Sequence, residues 1–328
     1  MHVLVTGGSG FIGSALVIHL LREGHRVRVF DNNSRGHARR LAPVIDDVEF
    51  LVGDIRDADH VDEAMRGVDA VAHLAFVNGT EFFYSKPELV LEVGVKGAIH
   101  TLDSAIRHGV GKYWLMSSSE VYQTPQQVPT DESAPFFIPD PLNPRYSYGG
   151  GKLISELLAI NYGRKSFEQV VVVRPHNVYG PDMGWEHVVP QMSLRAAQAV
   201  RENPEGRVPV PIKGDGLQTR AFCYIDDFTE GCGRAFLKGE HLGIYHVGTQ
   251  EEITIRTLAE EIVRQFGREA DVQTGETPEG ETPRRCPDIT KVSRLGYKPN
   301  VSLREGLGLT VPWYRDNAHL REETAVAG

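Results

Sequence analysis

The chain has 328 residues, 41% of them hydrophobic and 24% charged, a balance that excludes a disordered, collagen-like or disulfide-stapled polypeptide. Its 35 basic and 44 acidic side chains leave a net charge of −9, so the chain as a whole has no pull on nucleic acid or on an anionic membrane, and any phosphate it holds needs local residues. No apolar run reaches the ~20 residues of a membrane-spanning helix. Strand and helix patterns alternate from the start. Residues 3–6 form a short apolar run that ends in glycines, and 11–22 have helical spacing. Residues 26–30 and 48–52 are β-rich, 59–65 helical and 70–75 β-rich again. A long helical pattern over 87–108 precedes a strand at 112–116, a helix at 146–164 and a strand at 170–174. Strands that are apolar throughout, separated by helices, predict an α/β fold: a doubly wound parallel sheet covered on both faces.

After Pro181 the texture changes. Residues 203–218 are rich in Pro and Gly and predict loops and short strands. Helices are predicted at 226–237 and 255–266, with a strand between them at 243–247. Residues 271–288 are polar and Pro-rich and read as a long loop, and about 318–328 as a frayed end. The predicted division is a first domain over 1–180, with part of 220–250 returning to it. A smaller, discontinuous α+β lobe follows over 181–318, with a tail at 319–328. Cys223, Cys232 and Cys286 are odd in number and lack C-x-x-C spacing, and the 13 histidines form no H-x-x-x-H pair. These features predict reduced thiols, no metal site and a cytoplasmic protein. The N-terminus also lacks the basic and then apolar pattern of a secretory signal.

Gly7, Gly10 and Gly13 lie between the first strand and the first helix in G-x-x-G-x-x-G spacing. Glycine there permits a tight turn and close backbone approach to a pyrophosphate, which the N–H groups of the helix N-terminus then face. Phe11 and Ile12 belong to the same turn. Asp31, 18 residues beyond Gly13, ends the second strand beside Asn32. Its carboxylate suits the adenosine ribose hydroxyls and repels a 2′-phosphate, which favours NAD over NADP. Asp54 and Ile55 after the third strand, and Leu74 and Ala75 after the fourth, fit the same Rossmann pocket.

Tyr148 and Lys152 stand four apart on a predicted helix and share a face. An ammonium beside a phenol favours phenolate and makes it a usable base. Between them Gly149, Gly150 and Gly151 cost the helix about 1 kcal/mol each, so something must approach its backbone closely. A cofactor, a substrate or a neighbouring helix are the candidates. Ser118, Ser119 and Glu120 follow the 112–116 strand, at the carboxyl edge where open α/β sheets bind ligands.

These motifs resemble the extended short-chain dehydrogenase/reductases, specifically the nucleotide-sugar epimerases and dehydratases. The resemblance runs from T-G-G-S-G-F-I-G at 6–13 through S-S-S-E-V-Y at 117–122 and Y-G-G-G-K at 148–152. It continues to R-P-H-N-V-Y-G-P at 174–181 and G-D-G-L-Q-T-R at 214–220. It implies that Ser118 hydrogen-bonds the sugar O4, that Tyr148 removes the O4 proton, and that Lys152 binds the nicotinamide ribose of NAD and tunes Tyr148. It places Asn177 near the substrate diphosphate and Arg220 on it, with Arg284 or Arg285 as a second phosphate-side arginine. His187, Val188 and Lys213 would line the base pocket, and Ser119 would lie beside the sugar. Glu120 looks like the glutamate of 4,6-dehydratases that takes the C5 proton.

The implied activity is therefore a nucleotide-sugar 4,6-dehydratase. The alternatives are a 4-epimerase and then a UDP-glucuronate-type decarboxylase, or, outside enzymes, a non-catalytic NAD-sensing protein. A homodimer built on the 87–108 and 146–164 helices is also implied, with Leu153, Leu157 and Ile160 as its apolar stripe. Gly94 departs from the family, which usually has Asn at that position.

Overall fold

Strands that bury both faces need no alternation, and here the apolar runs are buried along their length: Val3, Leu4 and Val5, and again Val170 through Val173, are inaccessible to solvent. The computed structural model describes residues 1–276 and 282–321. Seven strands form one sheet: β1 (His2–Thr6), β2 (Arg26–Asp31), β3 (Val48–Val52), β4 (Ala70–His73), β5 (Lys112–Met116), β6 (Gln169–Pro175) and β7 (Gly243–Val247). Their order is β3-β2-β1-β4-β5-β6-β7, and every pairing is parallel. The order reverses between β1 and β4, so a crevice opens beyond their carboxyl ends, where ligands of such sheets bind.

The α-helices of eight or more residues among the described residues are α1 (Phe11–Arg22), α2 (Ala58–Met65), α3 (Gly97–Arg107), α4 (Ser147–Ser166), α5 (Val188–Glu202), α6 (Ile225–Lys238), α7 (Ile255–Arg264) and α8 (Leu303–Asp316). One face of the sheet packs under α1 and α6, where Trp114 of β5 stacks on Phe236 of α6 at 5.1 Å. The other face packs under α2, α3 and α4 through Leu102, Ala105 and Ala159. Among the described residues no helix is long and apolar enough to cross a membrane.

Two expectations change. The 87–108 pattern is not one regular helix. Pro87–Leu91 is followed by a π-helical turn at Glu92–Lys96 and then by α3. Apolar periodicity does not report such a turn, and π turns cluster at functional sites. The 271–288 segment is not all loop. Ala270–Gln273 pairs with Val208–Pro211, and Arg284–Arg285 joins a three-stranded sheet with Thr219–Ala221 and Glu252–Thr254. Pairings of two to four residues are too short to show alternation. Residues 277–281 of that segment and 322–328 of the expected tail lie outside the described residues.

A buried polar network fixes the end of β5. Arg174 of β6 and Glu156 of α4, each 1% exposed, pair at 2.6 Å. Glu156 also accepts from the Ser117 hydroxyl, Arg174 donates to the Tyr122 hydroxyl, and that hydroxyl meets His246 Nε2 at 2.7 Å. Buried charges persist only when paired and hydrogen-bonded in this way. The network ties β6, β7 and α4 to the segment carrying Ser118 and Glu120.

Candidate active site

The turn after β1 is closed so tightly that only glycine fits. Gly7 has φ +72°, and a Cβ there would lie 2.7 Å from the Ala75 nitrogen; a Cβ on Gly13 would lie 2.0 Å from the Gly7 carbonyl oxygen. Helix α1 begins after Gly10 with no side-chain cap and no acidic residue in its first turn. Its first N–H groups are therefore open to an anion. Asp31 accepts the Ser9 N–H at 3.0 Å and the Asn33 N–H at 2.8 Å, which fixes its carboxylate at the tip of β2. The Asn32 amide donates to Asp54 at 3.2 Å, and Arg56 pairs with the same carboxylate. Gly7, Gly10, Phe11, Ile12, Gly13, Asp31, Asn32, Asp54, Ile55, Leu74 and Ala75 all line one cleft of about 450 Å³. A bare helix N-terminus, a glycine cradle and a carboxylate at the next strand's tip fit a dinucleotide.

The same cleft contains Ser118, Ser119, Glu120, Tyr148, Lys152, Asn177 and His187. Ser118 caps the short turn Ser119–Tyr122, accepting the Glu120 N–H at 3.2 Å, and its side chain hydrogen-bonds Tyr148. The Tyr148 ring, 7% exposed, stacks on Phe83 at 5.0 Å and meets the edge of Phe76 at 5.2 Å. Lys152, 4% exposed, donates to the Met116 carbonyl at 2.7 Å.

Protein neighbours account for Gly149 and Gly151 but not for Gly150, where a Cβ would make only ordinary contact. A Cβ on Gly149 would lie 2.4 Å from the Gln123 amide and 2.9 Å from the Glu120 carbonyl oxygen. One on Gly151 would lie 2.9 Å from Phe76, and Gly150 looks toward Ile138 at 3.4 Å.

Burial dominates the titration of the pair. It pushes the Tyr148 phenol above its ordinary value; the Ser118 hydrogen bond opposes this and the Glu120 charge adds to it. It pulls Lys152 down to about 7 against the attraction of Glu156. The sequence argument that Lys152 lowers the phenol is thus not realised by these side chains alone, because desolvation penalises both charged forms. At Glu120 the balance is reversed. Burial favours the neutral acid, but the charge and hydrogen bond of Arg285, with Arg145 and Arg220 beyond, hold the carboxyl below its usual range. His187 is held neutral by burial, with Arg35 adding to the effect.

Four predicted substrate residues do not line the cleft. Arg284 turns outward to pair with Glu252 at 2.7 Å, and it is Arg285 that enters the cleft. Val188 and Lys213 are exposed and do not line it. Arg220 reaches Glu120 through its charge without forming the wall. Asn177, at φ +41°, presents a buried Nδ2 with no partner among the described residues, and Arg285 Nε is in the same state. Sequence reasoning missed Arg145, Phe76 and Phe83. Arg145 sits only three residues before Tyr148, but its three-residue turn carries no periodic signal.

A family model described as the NAD dependent epimerase/dehydratase family matches residues 3–248. A dTDP-glucose 4,6-dehydratase of Streptomyces antibioticus is 34% identical over 97% of this chain and 93% of its own. UDP-glucuronic acid decarboxylase 2 of Arabidopsis thaliana is also 34% identical, over 96% of this chain and 68% of its own. A crystal structure of a dTDP-glucose 4,6-dehydratase from Streptomyces venezuelae with NAD bound superposes with a TM-score of 0.86. It is 32% identical, over 99% of this chain and 100% of the other.

Burial raises the Tyr148 phenol, so it keeps its proton through the neutral range when no cofactor is bound. Tyrosinate difference absorbance between the cofactor-free protein and its Tyr148→Phe variant should read zero near neutral pH. A tyrosinate signal there, lost in the variant, would contradict the burial argument.

Proposed function

The chain belongs to the NAD dependent epimerase/dehydratase family, and from that premise we propose that it is a nucleotide-sugar 4,6-dehydratase. The observation that carries the reading is the ionised carboxylate of Glu120 in the same cleft as Ser118 and Tyr148. Abstracting a proton only from O4 needs one base; eliminating water across C5 and C6 needs a second. The dTDP-glucose 4,6-dehydratases among its relatives support the same reading.

Bound NAD supplies the hydride acceptor at C4 and the donor that later serves C6. The glycine turn and the open end of α1 would hold its pyrophosphate, and Asp31 its adenosine ribose. Tyr148 takes the O4 proton through a hydrogen bond shared with Ser118, as C4 becomes a ketone. The phenolate that begins the step would need the positive charge of the bound cofactor beside the Lys152 ammonium, because the side chains alone leave the phenol raised. The ketone acidifies C5–H, and Glu120 takes that proton. The C6 hydroxyl then leaves with it as water, across the C5–C6 bond. A solvent proton completes C5 after hydrogen returns to C6, while Tyr148 releases its own proton. The product is a 4-keto-6-deoxy sugar. Arg145, Arg285 and the free amide of Asn177 offer a diphosphate the bidentate and charged donors it prefers.

The reading includes a division into a cofactor domain over 1–180, with part of 220–250, and a sugar-nucleotide lobe over 181–318. It also includes a cytoplasmic location and a homodimer. Leu157, 45% exposed, leads a stripe with Ile154 on α4, and Leu91 and Ile106 are exposed along the neighbouring helical stretch. Leu153 and Ile160 are half-buried beside it. Such a patch suits a second copy of the chain.

Incubation with dTDP-, UDP- and GDP-hexoses should yield a product lighter by one water. An isomer of unchanged mass would point to a 4-epimerase, and carbon dioxide from a uronic acid to a decarboxylase. Glu120→Gln should slow dehydration by about 10²–10⁴-fold, the usual worth of a general base, while cofactor reduction survives. Full dehydration in that variant would remove Glu120 from the mechanism. Sedimentation equilibrium should give twice the chain mass for the wild type and a monomer for Leu157→Asp; a monomeric wild type would refute the dimer.

A further inference from the structure

Three oddities of the sequence meet at one aromatic ring. Gly94 interrupts the helical stretch before α3, Gly151 sits in the glycine run of α4, and the backbone around Gly94 is a π-helical turn. Phe76, just beyond β4, is wedged between them. A Cβ at Gly94 would lie 2.3 Å from the ring's Cζ, and one at Gly151 would lie 2.9 Å from the same atom. Both glycines therefore make room for this ring.

The ring's face meets an ammonium. Lys152 Nζ lies 4.1 Å from the Phe76 centroid, closer than to the Tyr148 ring at 5.9 Å. Its Nζ donates a hydrogen bond to the Met116 carbonyl. The charged and titratable groups around it offer little else. Glu156, on the same helix, is committed to Arg174. His73 of β4 is held neutral by burial, at about 3. Burial pushes the Tyr148 phenol up, away from the charged form, and the Glu120 carboxylate in the same cleft is paired with Arg285. A desolvated cation over an aromatic face is attracted by the ring's quadrupole.

We propose that Phe76 is a positioning residue for Lys152: seated between Gly94 and Gly151, its ring holds the ammonium charged and aimed beside Tyr148. The inference rests on the reading of Lys152 as part of the catalytic set, but its tests need no turnover.

The first measurement follows the Lys152 side chain by NMR, assigned with Lys152→Met, as pH is varied. The wild-type midpoint is expected at about 7. Phe76→Leu keeps apolar volume and removes the π face; it should move the midpoint down by about half to one pH unit. Gly94→Ala, which displaces the ring without deleting it, should move it in the same direction. It remains informative if Phe76→Leu does not fold. The second measurement is a stability cycle. Gly94→Ala should lower the Tm of the wild type, although alanine favours helix, and should not lower it in a Phe76→Ala background.

A folded Phe76→Leu or Gly94→Ala protein whose midpoint stays or rises would overturn the proposal, whatever its Tm. So would a Gly94→Ala penalty that persists without the ring. A wild type that turns over no nucleotide sugar, with variants that still show the shift, would sink the dehydratase reading and leave the cation–π contact standing.

Discussion

The site depends on how much it costs to keep a phenol and an ammonium almost dry. Burial favours the neutral form of both Tyr148 and Lys152. The fold accepts this because the slot must exclude water for a carbon–hydrogen bond to exchange cleanly, and it supplies local compensation. Ser118 bonds the phenol, the Met116 carbonyl and the Phe76 ring receive the ammonium, and Glu156 adds distant attraction. Glycines at 149 and 151 let the Glu120–Gln123 turn and Phe76 reach the backbone of α4. A methyl group at either position would push that helix away from the groups it serves.

The cleft's charge is arranged against the chain's overall sign. A protein of net charge −9 gathers Arg145, Arg220 and Arg285 around a single carboxylate. That excess of positive charge keeps Glu120 ionised and leaves donor capacity for a dianionic ligand. Behind it, the Glu156–Arg174 pair and its links to Ser117, Tyr122 and His246 hold the catalytic turn from beneath. Chemistry and support are thus anchored to the same helix, α4, at positions four residues apart.

The parallel sheet was legible because its strands are apolar on both faces and its first turn has glycines where no side chain fits. Ser118, Tyr148 and Lys152 were legible because their spacing implies one face and one strand end. The choice between Arg284 and Arg285 stays open in the sequence, and only the structure shows that Arg285 lines the cleft; the reason is geometric. The two residues form a strand in which neighbours point to opposite sides, so a register error of one residue selects the wrong face. Nothing periodic marks so short a strand. Phe76 was hidden for a different reason. Its meaning lies in two glycines 18 and 75 positions further along, and contacts at that separation leave no local pattern.

In the dehydratase reaction hydrogen leaves one carbon of the sugar and returns to another within a single bound molecule. A nucleotide hexose deuterated at C4 follows that transfer. The label should appear at C6 of a 4-keto-6-deoxy product, in the molecule that carried it. Deuterium retained at C4 of an isomerised sugar, or exchanged into solvent, would show that no such transfer from C4 to C6 takes place.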